Sequence, residues 1–388
     1  MTRIGFLFNH DQTHQIAHSL PIALELARLR PDAQVIVAST NPRIAATVAA
    51  LLPTELPANL HRVEVRPSRW VGLLDRVLGR VVPVRKLLTY RDNLNFFRQL
   101  DVLVVSEKTS LVLKTRYGLD RLRIIHTRHG AGDRAIGFDP ASRGFDHVLC
   151  SGPKIRDRLV AEVGLRPDQV SIVGYPKFDL HALPQDQAKL PFDTGGRKVV
   201  LYNPHPSPRL SSWFLHGQDV LRFFAEHDEY FLIFAPHVML FERPLVVTVD
   251  PPGIARAGII PDDIRHAPNI HIDLSSPACS DMTYTNAADI YLGDVSSQIY
   301  EFLYTPRPCL FLNSHKVAWQ DDPNYAHWRA GPVIECPDEL EEGLARAIAT
   351  HQSDYAQEQA RMFAHSFDLT DEPSARRAAK VIIDYICK

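Results

Sequence analysis

The chain has 388 residues, of which 45% are hydrophobic and 23% charged, and its formal net charge is −2. This length favours two domains over one, and the composition is typical of an ordinary globular protein. A nearly neutral chain argues against bulk electrostatic binding of nucleic acid. The five cysteines are scattered and lack CxxC spacing, which fits a reducing cytoplasm and predicts neither a disulfide framework nor a zinc site.

The first half of the chain alternates short apolar runs with helical patterns. Strands are predicted over 3–9, 33–39, 63–65, 101–106, 122–126, 147–150 and 170–173, and helices over 15–29, 43–52 and 154–163. The strands are short, rich in β-branched residues and bounded by polar turns, which is typical of buried parallel strands. This order predicts a doubly wound α/β domain.

The same rhythm restarts after a stretch rich in Pro, Gln, Asp and Gly at 181–197, which is the predicted linker. Strands follow over 198–202, 230–235, 270–272, 288–292, 309–313 and 333–335, with helices over 211–226, 338–350, 354–365 and 374–387. The pattern predicts one α/β domain over 1–185 and another over 195–370. The helix at 371–388 is expected to pack back on the first domain, and the crevice between the domains is the expected ligand site.

The most informative stretch is GDVSSQIYEFLYTPRPCLFLN, residues 293–313. An apolar strand leads to Asp294, and Ser296 and Ser297 stand before an amphipathic helix and a second strand. A serine-capped helix start presents backbone N–H groups and the positive end of the dipole, and in an α/β sheet it lies at the carboxyl ends of the strands. The spacing therefore predicts an anion site for a phosphorylated ligand at these two serines.

This stretch resembles the donor-binding signature of the CDP-glycerol glycerophosphotransferases of the teichoic-acid type. Three further stretches resemble the same family in order: HTRHGAG (126–132), then FDHVLCSGP (145–153) with VGYPKFD (173–179), then LYNPHP (201–206) with FAPH (234–237). The resemblance covers roughly residues 120–315. It implies the GT-B fold, in which two Rossmann-like domains face each other across a cleft.

Two histidines are the predicted catalytic residues. His129 precedes Gly130 just after a predicted strand, and an unperturbed pKa near ~6.5 suits a general base for the acceptor hydroxyl. The family has its proposed base at the matching position; the alternative is a loop histidine bonded to the backbone. His237 resembles the family's donor-domain histidine and would stabilise charge on the leaving phosphate as a cation or an N–H donor. A surface histidine is the alternative there, and His205 is a weaker second candidate.

Other residues are assigned around the donor. Asp294 joins Ser297 in the donor-phosphate group, where it is expected to hold the turn or to touch the donor's hydroxyls. Glu301, one helical turn further on, would accept hydrogen bonds from a ribose, and an ordinary solvent-facing glutamate is the alternative. Asn286 and Thr283 lie in the polar turn before a strand and are expected to line the nucleotide pocket.

The acceptor side is assigned to Gly130 and to His14. His14 lies in the loop after the first strand, where a capped helix start at Thr13 is the favoured interpretation and an acceptor contact the alternative. No DxD-like pair stands at a strand end, so neither a metal nor any other cofactor is predicted.

A basic segment runs between Arg66 and Arg91 and holds seven basic residues and one acid among Trp, Leu and Val. Such a mixture suits the surface of an anionic membrane, and a helix that packs its apolar side on the core is the equal alternative. We therefore expect a cytoplasmic protein, with peripheral attachment to the inner face of the cell membrane as the hypothesis to test.

These features predict a transferase that moves glycerol phosphate from CDP-glycerol to a hydroxyl of a lipid-linked or polysaccharide acceptor and releases CMP. The main alternative is a GT-B glycosyltransferase that uses a UDP- or CMP-sugar in cell-envelope glycan or glycolipid synthesis. A non-catalytic nucleotide-sugar binder, a hydrolase and a sugar-nucleotide epimerase of the same fold are further alternatives. The released nucleotide, CMP or UDP, separates the first two unless a CMP-sugar is the donor.

Overall fold

The structure is a computed structural model that describes residues 1–9, 13–68, 84–181, 189–242, 245–249 and 252–387. By its internal contacts the chain divides into two units: residues 1–129, 138–180 and 367–388 form the first, and residues 130–137 and 181–366 form the second. Each unit is built on a parallel sheet with helices, and the prediction of two Rossmann-like α/β domains is confirmed.

The first unit contains a seven-stranded parallel sheet within the described residues, in the order β3-β2-β1-β4-β5-β6-β7. Its strands are β1 (Arg3–Phe8), β2 (Gln34–Ser39), β3 (Leu60–Glu64), β4 (Val102–Val105), β5 (Arg123–Thr127), β6 (His147–Cys150) and β7 (Val170–Ile172). β4, with the sequence VLVV, is buried at all four positions, as a parallel strand covered on both faces must be.

The second unit contains a six-stranded parallel sheet within the described residues, in the order β12-β9-β8-β13-β14-β15, and an antiparallel pair, β10-β11. Its strands are β8 (Lys198–Asn203), β9 (Tyr230–Phe234), β10 (Val246–Val249), β11 (Pro252–Ala255), β12 (Ile270–Ile272), β13 (Ile290–Gly293), β14 (Cys309–Leu312) and β15 (Val333–Ile334). The chain leaves β8 and β13 in opposite directions, so the neighbouring carboxyl ends of these two strands form the switch point of the sheet.

Along the described residues the α-helices are α1 (Leu20–Leu29), α2 (Pro42–Leu51), α3 (Val84–Asp92), α4 (Leu94–Phe97), α5 (Val112–Thr115), α6 (Pro153–Arg158), α7 (Phe178–His181), α8 (Trp213–Glu226), α9 (Asp262–Arg265), α10 (Thr283–Ala287), α11 (Gln298–Phe302), α12 (Leu340–Thr350), α13 (Ala356–Ser366) and α14 (Ser374–Cys387). Short 3-10 helices lie at Thr13–His18, Thr109–Leu111, Ala135–Phe138, Pro140–Gly144, Pro167–Gln169, Pro277–Cys279, Pro323–Ala330 and Pro337–Glu339. Single π-helical turns lie at Leu159–Val163 and His351–Tyr355.

The C-terminal helix belongs to the core of the first unit. Ala375, Ala379 and Ile382 on α14 are buried in the same apolar cluster as the inner face of α1. The small alanine side chains bring the two helices close together, while Ile382 fills the remaining space. α14 therefore completes the first unit, although it comes from the far end of the chain.

The structure differs from the predicted elements in three places. The helix predicted over 15–29 begins as the 3-10 helix Thr13–His18, and α1 starts only at Leu20, next to Pro21, which cannot donate the N–H of an inner helical position. The antiparallel pair β10-β11 was not predicted. In addition, residues 130–137 belong to the second unit rather than to the first.

Two predicted features fall mostly outside the described residues. Residues 69–83 of the basic segment and residues 182–188 of the linker lie outside the described ranges. The membrane-surface hypothesis therefore stays a prediction. Among the helices that the structure describes, none combines the length and the apolar character needed to cross a bilayer.

Candidate functional site

The carboxyl edge of the second sheet is organised by one buried carboxylate, Asp294, which follows β13. One of its oxygens accepts hydrogen bonds from the backbone N–H of Val295 and of His205, the latter at 2.9 Å. The other oxygen accepts from the N–H of Ser212 at 2.6 Å and from the Ser212 hydroxyl at 2.9 Å. Asp294 thus ties the loop after β8 and the start of α8 to the end of β13.

This bonding decides the role of Asp294. Its side chain is buried, and burial raises the pKa of the carboxyl while the N–H donors act in the opposite direction. Four protein donors occupy the lone-pair directions that a carboxylate offers. Of the two expected roles, Asp294 holds the turn; its assignment to direct donor binding is corrected, because its acceptor positions are already filled.

The two predicted phosphate-binding serines have different positions. Ser296 is buried, and its hydroxyl donates to the side-chain oxygen of Asn203, whose amide in turn donates to the carbonyl of Ala235. Ser296 therefore links the ends of β8, β9 and β13. Ser297 is exposed, holds the N-cap position of α11 and makes no side-chain capping bond. Of the pair, only the Ser297 residue is exposed, and the binding of a phosphate by either serine stays a prediction.

The helix behind these serines is shorter than its amphipathic pattern predicts. α11 runs only from Gln298 to Phe302 before Pro306 and Pro308 interrupt the chain. A helix of five residues has a weak macrodipole, so side-chain donors must supply most of the binding at this edge.

Two half-buried imidazoles stand at the same edge, with ring centroids 6.4 Å apart. The Nδ1 atom of His205 accepts from the N–H of Ser207 at 3.0 Å, and that of His237 accepts from the N–H of Met239 at 3.3 Å. Because a backbone N–H can only donate, each neutral ring carries its hydrogen on Nε2.

Both rings are neutral at physiological pH. Loss of hydration lowers the pKa of His237 to about 4, and loss of hydration together with the nearby His237, Arg134 and His327 lowers the pKa of His205 to about 3. Of the two forms expected for His237, the N–H donor is therefore the one that the structure supports.

Residues 130–137 reach this edge as part of the second unit. Gly130 has φ +78°, and Cβ atoms placed on Gly130 and Gly132 would lie 3.8 Å from Ser297 Oγ and 3.0 Å from Ser297 Cβ, so their bare backbone lies against that serine. Asp133 is buried and accepts hydrogen bonds from Tyr300 and His327. These bonds explain why the segment joins the second unit, and the sequence reasoning missed them.

Arg134 is a second residue that the sequence reasoning missed. Its guanidinium lies 5.8 Å from the centre of the Tyr325 ring, and its charge contributes to the lowered pKa of His205. Arg134 thus brings a permanent positive charge to the histidine edge. The signal was available in the sequence, because Asp-Arg directly follows the His-Gly segment that was singled out.

The predicted nucleotide-pocket residues do not gather at one place. Glu301 is buried in α11, which excludes a solvent-facing glutamate. Asn286 is buried at the opposite, amino-terminal edge of the sheet, where its amide donates to the carbonyl of His181 and its carbonyl accepts from Arg307. Its assignment to the pocket is wrong, because residues just before a parallel strand lie at the amino end of that strand. Thr283 begins α10, half-buried, and its role stays a prediction.

In the first unit, His129 follows β5, and the residue is exposed overall although the hydrogen bond of its ring is partly buried. Its Nδ1 atom lies 3.2 Å from the carbonyl of Ser106, which can only accept, so the neutral ring carries its hydrogen on Nδ1 and leaves a lone pair on Nε2. Reduced hydration, with the charges of Arg128 and Lys108, lowers the pKa of His129 to about 4. The ring is therefore unprotonated at neutral pH and able to take up a proton. His14 lies half-buried in the 3-10 helix Thr13–His18, and its acceptor role is untested.

Among the described residues, no group of three or more His, Cys, Asp and Glu side chains is arranged to hold a metal ion. The metal-free mechanism stays a prediction.

Comparisons with known proteins place the fold. No family model matches the chain, and no curated protein matches it by sequence. The wall teichoic acid polymerase TagF superposes with a TM-score of 0.61 at 17% identity, over 100% of this chain and 89% of that chain. The UDP-GlcNAc 2-epimerase from Neisseria meningitidis, bound to UDP-GlcNAc, superposes with a TM-score of 0.60 at 14% identity over 100% of both chains. The glycotransferase of kitacinnamycin gives 0.56 at 15% identity over 98% of both chains.

These identities are low, so the likeness establishes the fold. The chain has the GT-B fold, and the fold that the resemblance in the sequence implied is confirmed.

Replacing Asp294 tests its structural role. Asp294→Ala would leave the buried N–H groups of His205 and Ser212 without acceptors, so we expect the free energy of unfolding of the second unit to fall by about 3 kcal/mol or more. Chemical denaturation followed by tryptophan fluorescence measures this loss. The exposed Asp228→Ala is the control and should change stability little. An equal, small effect of both substitutions would show that Asp294 does not organise the edge.

The lowered histidine pKa values predict a loss of stability in acid. His126, His129, His205 and His237 all have a pKa below the unfolded value near ~6.5. Between about pH 6.5 and pH 4 the unfolded chain therefore binds more protons, and folding stability must fall as the pH is lowered. We expect the melting temperature to drop steadily from pH 7 to pH 5, with a smaller drop in His237→Gln. An identical pH dependence in that variant would contradict the assignment.

Proposed function

We propose that this chain is a transferase that takes a group from a nucleotide-activated donor to an acceptor hydroxyl, and that the donor is CDP-glycerol. The observation that carries the proposal is the composition of the switch-point edge of the second unit. There, the Nε2–H groups of His205 and His237, the exposed Ser297 hydroxyl and the Arg134 guanidinium lie around Asp294, whose carboxylate is already occupied by protein donors. An edge rich in donors and short of available carboxylate is suited to phosphate.

In the proposed reaction the acceptor hydroxyl loses its proton to Nε2 of His129 while its oxygen forms a bond to the distal phosphorus of CDP-glycerol. The bond from that phosphorus to the bridging oxygen breaks, and CMP leaves with the electron pair. The Nε2–H of His237 and the charge of Arg134 stabilise the negative charge on the leaving phosphate.

The hydrogen positions on the histidines support this division of roles. His237 accepts a backbone N–H at Nδ1 and so offers a donor at Nε2, whereas His129 donates at Nδ1 and so offers a lone pair at Nε2. A donor is what a developing phosphate charge needs, and a lone pair is what an acceptor hydroxyl needs. His129 directly precedes Gly130, the first residue of the segment that belongs to the donor-binding unit.

The second candidate is a GT-B glycosyltransferase that uses a UDP- or CMP-sugar. The fold likeness to the glycotransferase of kitacinnamycin and to an epimerase bound to UDP-GlcNAc favours it. The acceptor oxygen would then attack the anomeric carbon of the sugar, and the nucleotide would leave with its phosphate. The described edge recognises phosphate in both reactions, so the released nucleotide distinguishes them. A lipid-linked or polysaccharide acceptor remains part of the proposal and is supported by the composition of the segment between Arg66 and Arg91.

A nucleotide screen tests donor binding. We expect CDP-glycerol and CMP to raise the melting temperature more than UDP or UDP-GlcNAc, because the proposed donor carries cytidine. A ligand at ~100 times its Kd adds about 2.7 kcal/mol to stability, which is enough to measure. Ser297→Ala and Arg134→Gln should reduce the shift, while Ser353→Ala, an exposed serine elsewhere in the second unit, should not. A larger shift with uridine nucleotides would favour the glycosyltransferase, and no shift with any nucleotide would refute donor binding.

Replacement of His129 tests the proposed base. His129→Ala should lower the kcat of acceptor-dependent CMP release by about 10²- to 10⁴-fold and leave the CDP-glycerol thermal shift unchanged. Since the pKa of His129 is about 4, wild-type activity should be level from pH 8 to pH 6 and fall only as the pH approaches that value. Normal turnover by a folded His129→Ala enzyme would remove the assignment.

A further inference from the structure

A buried pair of ionisable side chains, Asp133 and His327, joins residues 130–137 to the rest of the second unit. Asp133 Oδ2 lies 2.9 Å from Nδ1 of His327 and 3.2 Å from the His327 backbone nitrogen, and the side chains are 1% and 4% exposed. The Tyr300 hydroxyl lies 2.8 Å and 2.6 Å from the two carboxylate oxygens of Asp133. The two partners of the pair are 194 residues apart in the sequence.

The surroundings of His327 require a proton between these two side chains. Its Nε2 atom lies 3.0 Å from the carbonyl oxygen of Asp294, which also accepts from the indole of Trp328 at 2.6 Å. A carbonyl can only accept, so Nε2 carries a hydrogen. The other ring nitrogen faces the carboxyl group of Asp133, and the contact is satisfied only when a further proton lies between them. Asp133 and His327 therefore share one proton in a directional hydrogen bond.

Fold stability alone is a weak reason for such a pair. Burying two ionisable groups removes their hydration, and well-packed apolar residues of the same volume stabilise a core as well or better. What a buried, directional hydrogen-bonded pair supplies is one defined position of the two segments that it joins. The chain beside it needs that position: the backbone of Gly130 and Gly132 lies against Ser297, and Arg134 follows Asp133 directly. The N–H of Ala135 donates to Asn324 at 2.7 Å and continues the same attachment.

We propose that Asp133 and His327 are positioning residues. They hold residues 130–134 in one position at the carboxyl edge of the second sheet, where the donor substrate is proposed to bind. The pair holds Arg134 close to His205 and holds the backbone of Gly130 and Gly132 against Ser297. Asp294 holds the loop after β8 through its carboxylate and His327 through its backbone carbonyl. The loop after β8 and the segment of His327 are therefore both bonded to the same residue. The role of the positioned groups rests on the proposed function, whereas the attachment of the segment does not.

The attachment is tested without any activity measurement. In Asp133→Asn, which is nearly the same size but uncharged, we expect the backbone amides of residues 131–137 to exchange hydrogen at least about tenfold faster than in the wild type. Amides of β13 and β14 should keep their protection. The exposed Asp228→Asn is the matched control. Unchanged exchange at residues 131–137 would overturn the proposal, whether or not the protein proves to be a transferase.

The positioning role is tested by kinetics on the folded variants. Asp133→Asn and His327→Gln should each lower kcat about 100-fold, because small displacements at a reacting group have effects of this size. The double variant should lose no more than either single variant, since both remove the same pair. A lower melting temperature with unchanged kcat and KM would show a purely structural role and overturn the proposal. If the wild type turns over no donor, the same comparison is made with the CMP and UDP thermal shifts, and unchanged shifts count against it.

Discussion

The carboxyl edge of the second sheet depends on how Asp294 is bonded. A carboxylate buried this deeply would be costly without partners, and it accepts from four donors: one on the next residue and three on the connection between β8 and α8. Its own carbonyl oxygen accepts from His327 and Trp328. One residue at the end of β13 therefore holds two other segments, the β8–α8 connection and the segment of His327 and Trp328, through hydrogen bonds that its buried polar groups need.

Beside that support, this edge of the sheet carries hydrogen-bond donors. With Asp294 and Asp133 occupied by protein donors, the carboxylates at this edge do not compete with a phosphate, and the neutral imidazoles of His205 and His237 present Nε2–H. His129 has the reverse arrangement: its Nδ1–H donates to the carbonyl of Ser106, and its Nε2 carries the lone pair. Backbone partners decide which ring nitrogen carries the hydrogen, and the lowered pKa values keep the three rings neutral.

The prediction from sequence was most accurate where a local pattern is enough. Runs such as VLVV at β4 and CLFL at β14 are apolar throughout, and both are buried strands. The position of the two serines after a strand was predicted correctly, because the apolar run of that strand and the polar turn at Asp294 are both local features of the sequence. The prediction failed for Asn286, where the side of the sheet was misjudged, and for the equivalence of Ser296 and Ser297, which differ in burial although they are adjacent.

The order of the elements, the α/β class, the position of the switch-point turn and the chemical types available there were determined by the sequence itself, because apolar periodicity and turn residues act over a few positions. The tertiary structure alone decided which polar groups meet. Asp133 and His327 are 194 residues apart, and Asp294 and Ser212 are 82 apart, so no local pattern pairs them. A buried polar group must find a partner, but packing chooses that partner. Which serine is exposed, which histidine donates and which unit holds residues 130–137 all follow from that choice.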